Sequence, residues 1–140
     1  MDLKCNGSFG GLPNAFPLGT PDAPFFQGTT PALTVTVTLP DGVTPVNLMG
    51  AKVYLTCKSD PSDADPGLFQ LSTVTGEIVL AAQSGTTVGQ LTATFPAVAT
   101  ASLSAMRSYP YDVRIILAGN VQTVLYGLLT LSQAITQSES

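Results

Sequence analysis

Residues 32–39, ALTVTVTL, place Leu33, Val35, Val37 and Leu39 in strict alternation with Thr34, Thr36 and Thr38. A period of two sends the two sets to opposite faces of a β-strand, whereas a helix would need apolar residues every three or four positions. The β-branched valines and threonines favour the same pleated conformation. A strand with one apolar face must bury it against another layer, so this octet already asks for a second sheet.

The same signal recurs along the chain. Pro40-Asp41-Gly42 reads as a turn, and Gly50-Ala51 opens a strand with Val53, Leu55 and Cys57 on one face and Lys52, Tyr54, Thr56 and Lys58 on the other. Shorter candidates lie at 68–72, 77–81 and 90–95, while 97–105, AVATASLSA, lacks alternation and could form one or two helical turns. Tyr111, Val113, Ile115 and Leu117 then alternate, Gly119-Asn120 supplies a tight turn, and a last strand covers 121–131. On that strand Val121, Leu125, Leu129 and Leu131 are assigned to the core, with Val124, Tyr126 and Leu128 on the opposite face. Either Gly127 marks a bulge that shifts the register, or the outer face is covered too. About seven short strands at this spacing predict an all-β fold, an immunoglobulin-like antiparallel β-sandwich.

Residues 1–24 differ: rich in Gly and Pro, they follow neither period and read as an extended arm, ahead of a sandwich at 25–135 and a polar tail at 136–140. The N-terminal region nevertheless carries Leu3, Phe9, Leu12, Phe16, Leu18, Phe25 and Phe26, too many large apolar side chains for a solvated linker. They are expected to be buried, against this domain or a neighbouring subunit. Phe9, Phe16, Phe25 and Phe26, with Val124, Tyr126 and Leu128, are the candidate partner interface.

Charge and chemistry narrow the function. Only 10% of the 140 residues are charged, against roughly 25% in an average domain, and the net charge is −4. Five scattered bases leave little to neutralise phosphates, so nucleic acid is not an expected partner. The start of the chain has no apolar signal-peptide core and no stretch reaches about 18 apolar residues, so no secretory signal or membrane span is expected. The absence of His removes the centre of the common triads and zinc sites, and no phosphate loop or dinucleotide fingerprint occurs. No enzyme and no cofactor are expected. Cys5 and Cys57 read as two unpaired thiols.

One acidic segment requires a decision. Asp60, Asp63 and Asp65 lie between Pro61 and Pro66 and could supply part of a hard-cation shell. Their spacing does not match a calcium-loop pattern, and Asp-Pro pairs initiate turns, so an exposed turn is the expectation and a cation site the alternative. Tyr54, Tyr109 and Tyr111 could form a sugar-stacking platform or serve as core and corner residues.

The order of these signals resembles a bacteriophage tail family that includes the N-terminal domains of upper baseplate proteins and many short virion proteins. The residues that carry the resemblance are Asp41-Gly42, Pro45-Val46-Asn47-Leu48-Met49-Gly50-Ala51, Asp60-Pro61, Asp63-Ala64-Asp65-Pro66, Tyr109, Tyr111-Asp112-Val113 and Gly127. It implies an immunoglobulin-like attachment module in a phage particle, made in the host cytoplasm and located in the virion. Copies of itself and other virion proteins would be its partners, in a homo-oligomer within a larger assembly. The arm before Phe25 lies outside that pattern and suggests a separate subunit strapped across a neighbour. Tail, baseplate or tail-fibre junction is the expected location; capsid decoration by the same fold, or a receptor- or carbohydrate-binding module, are the alternatives.

Overall fold

The computed structural model describes residues 2–21, 23–60, 62, 67–101, 103 and 107–132. Among these residues ten strands form two sheets. One contains β1 (Asp2–Ser8), β4 (Ala32–Thr38), β8 (Gln90–Thr94) and β7 (Ile78–Leu80), in that order. The other runs β2 (Asn14–Ala15), β10 (Asn120–Ser132), β9 (Ser108–Leu117), β5 (Lys52–Cys57) and β6 (Phe69–Ser72), with β3 (Phe25–Phe26) also paired to β10. Seven strands, β4 to β10, divide as B-E-D and G-F-C-C′ divide in the immunoglobulin sandwich, which is the fold the alternation predicts.

Alternation selects the core. Leu33, Val35 and Val37 of β4 and Val53, Leu55 and Cys57 of β5 point inward and are buried. Leu91 and Ala93 of β8 and Val113 and Ile115 of β9 complete the facing layers. Phe95 sits at one end of this core, edge-on to Phe25 (centroids 5.0 Å apart) and to Phe69 (6.1 Å). Of the expected helix at 97–105, α1 (Ala97–Ala101) is a single α-turn, and residues 102 and 104–106 lie outside the described residues. The buried Thr100 hydroxyl accepts the Gly28 N–H (2.9 Å), tying that turn to the chain after β3.

The arm departs most from expectation. It is not a strap free to lie across a neighbour, because its backbone completes both sheets of its own sandwich. All of β1 pairs in parallel with β4, from Asp2↔Ala32 to Ser8↔Thr38. The chain then crosses to the other sheet and runs parallel to β10. Phe16 N–H donates to Tyr126 O (2.9 Å), Leu18 N–H to Leu128 O (3.0 Å), and Thr130 N–H back to Leu18 O (2.9 Å). Leu3, Leu18 and Phe25 are buried in this domain's core. The physical reason is edge satisfaction: β4 and β10 would otherwise expose long rows of unpaired peptide groups, and parallel pairing with the arm supplies their partners.

Two glycines make that route possible. At Gly127 a Cβ would collide with the Phe16 carbonyl oxygen, and at Gly19, with φ +84°, one would run into the Thr130 carbonyl. The Tyr111 hydroxyl donates to the same Phe16 carbonyl, pinning the arm over the end of the core. Burial pushes the Tyr111 phenol well above its ordinary value, with the nearby Cys5 a lesser contribution, so it stays protonated as a donor. Cys5 and Cys57 are free thiols, each pushed up to about 12 by burial.

The last hairpin also differs in register. Its two-residue loop is Ala118-Gly119, since Leu117 pairs with Asn120, and both loop residues have positive φ (51° and 82°), as a type I′ turn needs. A bulge does occur in β10, at Val124 and not at Gly127: Thr123 pairs with Arg114 and Leu125 with Val113, leaving Val124 unopposed. The extra residue reverses the facing of everything before it. Val121 is therefore exposed, contrary to its assignment to the core, and Val124 is fully buried. The bulge aims Val124 at the crossing arm, where a Cβ on Gly7 would stand 3.2 Å from the Val124 Cβ.

Candidate partner-binding surface

Everything that alternation keeps out of the core on β5, β9 and β10 gathers on one broad outer face. From β5 and the residue after it come Lys52, Tyr54, Thr56 and Lys58; from β9, Pro110, Asp112, Arg114 and Ile116; from β10, Val121, Tyr126 and Leu128. Cross-strand register sets neighbours: Tyr126 lies opposite Asp112, Leu128 opposite Pro110, and Val121 opposite Ile116. On the other flank Tyr54 lies opposite Arg114, and Thr56 opposite Asp112.

The face is apolar along β10 and polar toward β5. Leu128 (52% exposed), Tyr126 (47%) and Val121 (55%) present large side chains to solvent on one strand. A depression of about 380 Å³ lies beside them, walled by Tyr126, Leu128, Pro110, Thr56, Lys58 and Asp112. A second hollow of about 460 Å³ adjoins it, with Tyr54, Gln70, Arg114 and Val121 in its lining. An apolar centre with a polar rim is the anatomy of a protein interface.

Charge is distributed unevenly. Three of the five bases, Lys52, Lys58 and Arg114, stand on this face, with Asp112 the acid among them. A further base, Arg107, lies off the outer face, its guanidinium 5.1 Å from the centre of the Tyr109 ring. A chain of net charge −4 thus has a locally positive sheet face.

The residues expected at a partner interface separate into two groups. Tyr126, Leu128 and Phe26 (39% exposed) reach the surface. Phe25 and Val124 are fully buried in this chain's own core and are withdrawn from that role. Phe25 is paired with Phe95, and Val124 is turned inward by the bulge. Phe9 and Phe16 are half-buried and pack against the core. Tyr109 and Tyr111 face inward as well, leaving Tyr54 and Tyr126 as the tyrosines of the outer face. Lys52 and Lys58 are placed on an outer face by alternation alone, but they, Val121, Pro110 and Arg114 are not among the residues expected at a partner interface.

Of the acidic segment, Asp63 and Asp65 lie outside the described residues. Asp60 accepts the Ser62 N–H (2.9 Å) and hydroxyl (2.8 Å) at one carboxylate oxygen, an Asx-turn that holds its carboxyl below the usual range. Among the described residues no group of three His, Cys, Asp or Glu side chains is placed to hold a metal ion.

Fold and surface together define a class: an immunoglobulin-like sandwich whose arm closes one side and whose outer sheet face is open for contact. The chain is similar to the N-terminal domain of phage TP901-1 ORF48, with a TM-score of 0.51 and 12% sequence identity over 94% of this chain and 98% of that one. A span of that length takes in part of the arm as well as the sandwich. No family model and no curated protein sequence matches the chain.

Proposed function

We propose that this protein is a structural component of a bacteriophage particle, an attachment module that works by surface contact and not by catalysis. The observation that carries this reading is the near end-to-end likeness of its fold to a phage protein domain. The ordered motifs from Asp41-Gly42 to Gly127, which resemble the N-terminal domains of upper baseplate proteins, support it independently and favour the tail, baseplate or fibre junction. The outer face of β5, β9 and β10, with Tyr126 and Leu128 at its apolar centre, is the surface through which it binds other virion proteins or further copies of itself.

Mass spectrometry of purified particles, separated into heads and tails, tests the reading. The chain is expected in the tail fraction at several copies per particle. Recovery in heads alone would make it a capsid decoration protein, and absence from both fractions would end the proposal.

A further inference from the structure

We draw no further inference here: the strongest candidate, the hollow of about 380 Å³ beside Tyr126 and Leu128 on the outer face of β5, β9 and β10, belongs to the attachment surface already proposed, and nothing in the structure shows what covers it.

Discussion

The two sides of the sandwich solve the edge problem differently. On one, β4 and β10 are sealed by residues 2–26, which supply backbone partners along both sheets and bury Leu3, Leu18 and Phe25 as anchors. On the other, the sheets end in β6 and β7, of four and three residues, with Val79 of β7 61% exposed. Long edges need a covering chain, whereas edges this short offer too few unpaired groups to template another strand. The arm is therefore spent on β4 and β10, and β1 takes β4's place as the outermost strand of its sheet, beside the open face of the other.

If that contrast holds, substitutions on the sealed side should cost far more than those on the open side. Phe25→Ala should lose about 4 kcal/mol in chemical denaturation, through lost burial and the cavity left beside Phe95. Gly127→Val should lose about 3 kcal/mol, because a side chain there meets the Phe16 backbone and must push the arm off β10. Tyr111→Phe should cost about 1 kcal/mol, the net worth of one hydrogen bond, and hydrogen exchange should rise first in residues 14–18. On the open side, Val79→Lys should change stability by no more than about 0.5 kcal/mol; a larger loss would mean that this edge is covered in the working protein.

The smallest effect concerns pH at the turn between β6 and β7. Glu77 accepts hydrogen bonds from the Thr75 hydroxyl and the Ser72 N–H, and chiefly the first of these holds its carboxyl below the ordinary 4.5. A depressed carboxyl stabilises the fold above its unfolded value, and that contribution disappears as pH falls through the folded one. Glu77→Gln should therefore remove a slight loss of stability below about pH 4.5 without altering stability differences among the arm variants. A pH response shared by Tyr111→Phe would show that the two sides are coupled.

What could be read in the sequence follows the range of each signal. The sandwich was legible because alternation at Leu33, Val35 and Val37, and again at Val53, Leu55 and Cys57, is a local property of each strand. The arm was legible only as apolar: its pairing joins Asn14 to Leu125 and Leu3 to Leu33, and no local period reports a parallel edge contact. Val124 shows the limit within a strand. One unopposed residue reverses the facing of Val121, and both positions read as valine on a β-run until the cross-strand register with Arg114 and Val113 is known. The outer face could be composed residue by residue from alternation. Its hollow could not, because that depends on which strands become neighbours.

The arm's route has a consequence for the order of events during synthesis. Asn14 emerges from the ribosome well before Leu125 and must wait for it before its ladder can close. Until then Leu18 and Phe25 have no core to enter, and the β4 edge is the docking site available to the arm. Contacts this distant along the chain slow folding and expose intermediates to aggregation. The arm should consequently lock onto β10 as a slow, late step of folding.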